Sequence, residues 1–316
     1  MLISVIVPCY NSEFTVVETL ESLENNNSDL FEVLVINDGS KDSTEKVVMK
    51  YMKTSKMNIK IINQENQGVS VARNNGMRNA FGKYILFLDS DDLLASNYIN
   101  AISTLAESDK YDTIVCYRTS DIKKIKPVLT LDNHIINSSP LHLMERYTYS
   151  KDKLGFTSFA FKTSIIEAVG LQFKAGAKYG EDFEFVTKYL AHCLTAVEID
   201  YYYYYRIVAN SVSRTTKYSQ VDAISSAERA ADYLDCLNHP FAKRFREFMY
   251  NRAVFSVAHR FAKGCRKDYF NRLIKEYPVK EAMAEVFRDS ESGIKPKLAA
   301  GSYLISPNLF YLLAKN

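Results

Sequence analysis

The sequence predicts an α/β protein, with a mostly parallel central sheet flanked by helices and a helical C-terminal extension. Three observations carry that class. Short β-branched runs alternate with segments of helical period through roughly the first hundred residues. One of those runs, Tyr84–Leu88, is apolar nearly throughout, the pattern of a central parallel strand covered on both faces. From about Tyr218 onward helical spacing dominates and no strand stands out.

Ile3–Val7 opens the alternation as a strand, and Phe14–Glu24 follows with Val16, Val17, Leu20 and Leu23 at helical spacing. Phe31–Ile36 is a second strand, ended by Asn37-Asp38-Gly39-Ser40. Asp42, with Glu45 three residues later, predicts a capping box for a helix through Met52. Ile59–Ile62 is a third strand, Ser70–Asn79 a short helix, and Tyr84–Leu88 a fourth, almost purely apolar strand. Beyond Asn97 the pattern loosens. Thr113–Tyr117, Phe156–Phe161 and Leu194–Tyr205 read as strands, while residues 118–150 are polar and irregular. A boundary is expected near Lys217, and the chain has no internal repeat.

Of the 316 residues 47% are hydrophobic and 24% charged, which is sufficient for a sizeable core. A net charge of +3 supplies no bulk attraction for nucleic acid, and none is expected as a partner. Cys9, Cys116, Cys193, Cys236 and Cys265 are scattered without a C-x-x-C pair and predict reduced, mostly buried thiols. Pro8 interrupts the N-terminal apolar run early, as in a strand and unlike a signal peptide. No window approaches the roughly 20 apolar residues of a membrane span. The best, Tyr303–Ala314, carries Pro307 and Asn308. A cytoplasmic protein is expected, peripheral at most on the inner face of the cell membrane. His134, His142, His192, His239 and His259 show no zinc spacing, and neither a G-x-G-x-x-G nor a Walker sequence is present.

In parallel sheets ligands sit at the carboxyl ends of strands. Here those ends carry Pro8-Cys9-Tyr10-Asn11, Asn37-Asp38-Gly39-Ser40 and Asp89-Ser90-Asp91-Asp92. Asp89 and Asp91, at alternate positions, can converge on one hard cation such as Mn2+ or Mg2+, whose other ligands are phosphate oxygens and waters. The competing reading is that Asp91 or Asp92 caps the next helix. Three acids in four residues after a buried strand are costly without a cation. Phosphatases of the haloacid dehalogenase class also use a D-x-D, but on their first strand, and with Thr or Val where Leu93 stands here.

In order, Ser4-Val5-Ile6-Val7-Pro8-Cys9-Tyr10-Asn11, Ile36-Asn37-Asp38-Gly39-Ser40-Lys41-Asp42-Ser43-Thr44, Asn66-Gln67-Gly68-Val69-Ser70-Val71-Ala72-Arg73-Asn74 and Asp89-Ser90-Asp91-Asp92 closely resemble the motifs of family 2 glycosyltransferases. Gly180-Glu181-Asp182 matches that family's later acidic motif, and the resemblance spans roughly residues 1–215. It implies a GT-A fold over 1–217, with 1–98 as nucleotide-binding half, 99–217 as acceptor-binding half, and 218–316 as a helical region beyond. It also implies an inverting, metal-dependent enzyme that moves a sugar from a UDP-sugar to a glycan or lipid-linked glycan acceptor. Such enzymes build bacterial capsule, lipopolysaccharide or other surface glycans.

Carried over residue by residue, Pro8, Tyr10 and Glu13 would border the uracil. Asp38 would bind the uridine, with Asn37 standing where the family has a first acid. Asn66 would approach the base, and Arg73 would hold nucleotide and loop geometry. Asp89 and Ser90 would approach the ribose and diphosphate, Asp91 with help from Asp89 would hold the metal, and Asp182 would be the general base. Arg206 and Arg214 are expected to frame the pocket. Each has a plain structural alternative: Tyr10 a core-edge aromatic, Asp38-Gly39 a tight turn, Arg73 a solvated helix residue, Glu181-Asp182 acids favoured by a helix dipole. Two other functions share the fold. A nucleotidyltransferase would need a Gly- and Arg-rich opening loop that is missing, and intact acids argue against a catalytically inactive sugar-nucleotide-binding protein.

The segment from Phe241 to Lys275 holds ten Lys and Arg against Glu247 and Asp268. Phe241, Phe245 and Phe248, with Phe255 and Phe261 further on, recur at helical spacing, while Lys243, Arg244, Arg246, Arg252 and Arg260 interleave. Such a stretch suits an anionic membrane surface, a homodimer interface, or packing on the catalytic domain with the charges outward.

Overall fold

The computed structural model describes residues 1–26, 29–121, 123, 135–149, 154–206 and 215–315. The chain forms two compact units, Met1–Gly176 with Tyr189–Ile207, and Ala177–Lys188 with Val208–Asn316.

The first unit begins β1 (Ile3–Cys9), α1 (Val16–Glu21), β2 (Phe31–Asp38), α2 (Thr44–Met52), β3 (Asn58–Gln64), α3 (Val69–Arg78) and β4 (Tyr84–Phe87). It continues through β5 (Leu93–Leu94), α4 (Tyr98–Glu107), β6 (Thr113–Thr119), β7 (Ile135–Ser138), α5 (Pro140–Tyr149), β8 (Phe159–Lys162) and α6 (Thr163–Ala168). After α7 (Glu181–Leu190), most of which counts with the second unit, β9 (Ala196–Tyr204) completes the sheet.

The strands form one sheet in the order β3-β2-β1-β4-β8-β6-β9-β5, with β7 also on β9. The expected α/β architecture is present. Its first four strands are parallel, and β8 and β5 then run antiparallel to their neighbours. Every residue of β1 and β2 is buried, which explains their largely apolar character, while the edge strand β3 alternates toward solvent. Val5 faces Val33 on one side and Leu86 on the other. The chain winds outward from β1 to β3 and returns to β4, so the strand order reverses between β1 and β4. Ligands of open α/β sheets bind at such a reversal, outside the carboxyl ends of the strands.

Several local expectations needed correction. Asp42 accepts a hydrogen bond from the Thr44 amide, but Glu45 turns to Asn63, so the reciprocal capping box does not form. Phe156–Ser158 is a 3-10 turn and the strand there starts at Phe159. Within residues 118–150, read as irregular, β7 and α5 are regular elements.

The second unit is helical: α8 (Asp222–Cys236), α9 (Ala242–Lys263), α10 (Lys267–Glu276), α11 (Val279–Arg288), α12 (Ile294–Ile305) and α13 (Pro307–Lys315). Phe255, Phe261, Phe270, Tyr303 and Phe310 meet in its core. All five phenylalanines singled out on α9 and just before it are buried, so that aromatic face packs inside the protein. Among the described residues, no helix is long and apolar enough to cross a membrane.

Candidate active site

The turns that follow β1 and β2 are stapled to each other. The Asn11 amide donates to Ser40 Oγ, and the Lys41 amide returns a bond to Asn11 Oδ1. Glu13 accepts from the Ser43 amide at 2.8 Å, and its own amide donates to Asp42. The Ser12 amide donates to Thr44 Oγ1 at 2.7 Å. These bonds satisfy polar groups that would otherwise have no partner where the strands end. Pro8 is buried within β1, whereas the Tyr10 ring beyond it is about half exposed and available to a planar ligand.

Asp38 is buried at the end of β2, and its carboxylate organises the next loop. Oδ1 accepts from Gln64 Nε2 and the Gln67 amide, and Oδ2 from the Gly68 amide at 2.8 Å. With three donors on two oxygens, one acceptor position is left by ordinary carboxylate capacity. Gly39 has φ +67, and a Cβ there would lie 2.7 Å from the Asn66 backbone nitrogen. Only glycine lets the exposed Asn66 come this close to the end of β2.

The Asp89-Ser90-Asp91-Asp92 turn follows β4 directly. Asp89 pairs with Arg73 at 3.3 Å. Arg73 is buried with its guanidinium over the rings of Phe156 and Phe173, which rules out the solvated alternative. Asn74, the next residue of α3, bonds both backbone groups of Phe173 and locks that helix in place. Burial and the charge of Asp89 raise the Asp91 carboxyl above its ordinary range, against the pull of Arg206.

Asp92 does something the sequence did not announce. It is buried, and its oxygens accept from the Tyr203 hydroxyl at 2.7 Å and the Arg206 amide at 2.7 Å. The Tyr203 oxygen also accepts from the Asp89 amide. Burial, then Asp89, pushes Asp92 up to about 7, with both hydrogen bonds pulling it back. Asp92 is therefore an anchor for β9. The next helix, α4, takes Asn97 in the left-handed conformation as its N-cap, so Asp92 does not cap it. A register shift between Cys116 and Tyr117 puts extra residues into β9 and sets the phase that brings Tyr203 to this loop. The Arg206 side chain itself bonds Glu18 at 2.7 Å. Arg214 lies outside the described residues.

Nothing in the sequence pairs Ser12 with Ser90, yet their hydroxyls meet at 2.7 Å across the β1–β4 reversal. Cys9, at the end of β1, is buried, which pushes its thiol up to about 12 and leaves it unreactive.

Asp182 belongs to the second unit, in the first turn of α7, where its carboxylate accepts from the Phe183 amide. The segment before it is held by α8. Ser226 Oγ donates to the Tyr179 carbonyl, Asp222 accepts from the Lys178 amide, and Gly180, at φ +80, lies too close to Ser226 for a free side chain. Two turns of α7 are clamped further by buried Glu184, which accepts from Arg229 at 2.7 Å and Lys188 at 2.6 Å.

Among the described residues no three His, Cys, Asp or Glu side chains converge as a ready metal cage. Asp91 and Asp89 offer two carboxylates, which matches how Mg2+ and Mn2+ are held beside a substrate's phosphates.

Comparison with known proteins agrees with this geometry. The family model described as Glycosyl transferase family 2 matches residues 4–168. EpsH of Bacillus subtilis (strain 168), which bears the name of a glycosyltransferase, is 28% identical over 265 residues, covering 81% of this chain and 74% of its own. Residues 1–349 of S. aureus TarS, solved with UDP-GlcNAc, superpose with a TM-score of 0.68 at 20% identity, over 100% of this chain and 90% of that one. A mannosyltransferase from Pyrobaculum calidifontis, solved with GDP-Man and Mn2+, gives 0.54 at 17% identity, over 99% and 85%. The likeness to TarS supports the expected GT-A type of fold. With the family model spanning more than half the sequence, the chain belongs to glycosyl transferase family 2.

Proposed function

We propose that this glycosyltransferase moves a sugar from a UDP-sugar to a glycan or lipid-linked glycan acceptor by metal-assisted single displacement that inverts the anomeric centre. The observation that carries the reading is the meeting of the β1 and β4 turns through Ser12 and Ser90, beside the crowded pair Asp89 and Asp91. A UDP donor is favoured by the TarS fragment, which was solved with UDP-GlcNAc. In this reading residues 1–98 hold the nucleotide, 99–217 face the acceptor, and 218–316 form the helical region.

Asp91, with Asp89, would hold Mn2+ or Mg2+, as two carboxylates completed by diphosphate and water. When bound, the ion supplies charge neutralisation for the leaving diphosphate. Arg73 orients Asp89, Ser12 orients Ser90 toward ribose and diphosphate, and Asp38 keeps an acceptor for the uridine while it holds the Asn66 loop. Pro8, Tyr10 and Glu13 would border the uracil. Asp182 would accept the acceptor hydroxyl's proton during attack, and one such carboxylate suffices for inversion. A surface-glycan acceptor on a lipid carrier would bring the enzyme to the inner face of the cell membrane.

The test is a panel of UDP-sugars with purified protein in Mn2+, in Mg2+ and in excess chelator. Metal-dependent hydrolysis or binding of one UDP-sugar is expected, lost in chelator and restored by either ion. Asp91→Ala that keeps full activity in chelator would overturn the metal assignment. A panel without any binding would overturn the donor.

A further inference from the structure

In the second unit, α9 and α12 wall a pocket of ≈ 720 Å³ that no step of the proposed transfer uses. Arg252, His259, Arg260, Lys263 and Lys295 line it, and Phe255 and Pro296 supply apolar wall. Among the described residues no carboxylate lines it. Charges that serve only solubility spread apart, whereas these share one concavity and repel one another. Asp289, the carboxylate that acts on Arg252, is already bonded by Arg244 and the Ser292 amide. Arg252 Nη1 is buried and meets no protein acceptor among the described residues. A buried donor without an acceptor is costly, and an anion would relieve it. The first turn of α12 adds Lys295 and no acid, so the positive end of that helix adds to the same potential. Burial, then Lys263 and Arg252, holds His259 below its ordinary range, as a cationic cavity requires.

The same helix presents large aliphatics to solvent. Ile294, Leu298 and Ile305 lie within one stripe of α12 by helical spacing, and Leu312 and Leu313 follow on α13, all between 58% and 79% exposed. Such a patch next to a cationic pocket marks an interaction surface. Its charge complements an anionic lipid surface, with aliphatics for the acyl boundary and cations for the phosphates.

We propose that this pocket binds the phosphate of an anionic lipid headgroup, with the exposed aliphatics of α12 and α13 seated in the same lipid surface. The membrane contact expected from the α9 phenylalanines thereby moves to a different face, since those rings are buried. The inference rests on the lipid-linked reading for its purpose alone. Its test does not pass through sugar transfer, so the two can fail separately.

The whole chain is sedimented with vesicles of phosphatidylcholine, and with vesicles containing phosphatidylglycerol, at low and high salt. Binding is expected to need phosphatidylglycerol and to weaken with salt. Lys263→Gln with Lys295→Gln, both exposed, should weaken it roughly thirtyfold. Leu312→Ser with Leu313→Ser should weaken it too, with circular dichroism unchanged in both variants. The His259 ring resonances should shift on adding soluble short-chain phosphatidylglycerol. Tight binding of inorganic phosphate without vesicle binding would overturn the lipid assignment. So would a dimer that dissociates in the Leu312, Leu313 variant while vesicles are ignored, which would make the stripe a contact between copies.

Discussion

Ser12 Oγ and Ser90 Oγ lie 2.7 Å apart, tying the turn after β1 to the turn after β4 where the strand order reverses. Ser12 is also held through its amide by Thr44, so one residue couples three strand ends. A net hydrogen bond of this kind is worth about 0.5–1.5 kcal/mol. Ser12→Ala should therefore weaken UDP binding roughly twofold to tenfold by titration calorimetry, with the fold unchanged. An unaltered Kd would mean that Ser90 needs no such support.

The Asp92–Tyr203 bond predicts an effect on stability. Tyr203→Phe removes one of two donors to a buried carboxylate, at a cost of about 1–3 kcal/mol. The urea midpoint should fall with the slope unchanged. Tyr204→Phe, at a partly exposed position one residue on, should leave the midpoint in place. Equal effects of the two would refute the anchor.

The parallel half of the sheet was legible because its inner strands β1, β2 and β4 are buried on both faces and read as largely apolar runs. The strand-end motifs were legible because they sit where those runs stop. What could not be read depends on contacts distant in sequence. Asp92 looked like one more acid of a metal cluster, and only the β9 register shift brings Tyr203 and the Arg206 amide to it. The five-tyrosine run at 201–205 gave no sign of which ring turns inward. Ser12 carries no signal of its own, since a serine after a strand is ordinary turn chemistry. The phenylalanines of α9 read as an amphipathic face, but periodicity does not say whether a face meets lipid or protein, and here it meets protein.

Asp182 is held at the start of α7 with its carboxylate bonded to the next amide. Asp182→Asn keeps that acceptor oxygen and removes the basicity. UDP-sugar binding should persist while turnover falls by roughly two to four orders of magnitude. Turnover within about tenfold of the parent would shift the role of base elsewhere, with Glu181 the next residue to test.

Asp42 predicts an acid limb in stability. Burial works to raise its pKa, but hydrogen bonds from the Thr44 hydroxyl and amide and from the Glu13 amide outweigh it, so the carboxyl sits below its ordinary range. A depressed pKa means that the folded state prefers the charged form. Its contribution is complete above the ordinary carboxylate value of about 3.9 and is lost as pH falls through the lower folded value. Asp42→Asn should therefore have a lower urea midpoint than the parent at pH 6, and the two curves should converge as pH falls below about 4. The gap at pH 6 will be small, because this carboxylate is partly exposed and its interactions are screened by solvent. Parallel curves from pH 6 to pH 3 would show that the Asp42 bonds hold the β1 and β2 turns no better charged than neutral.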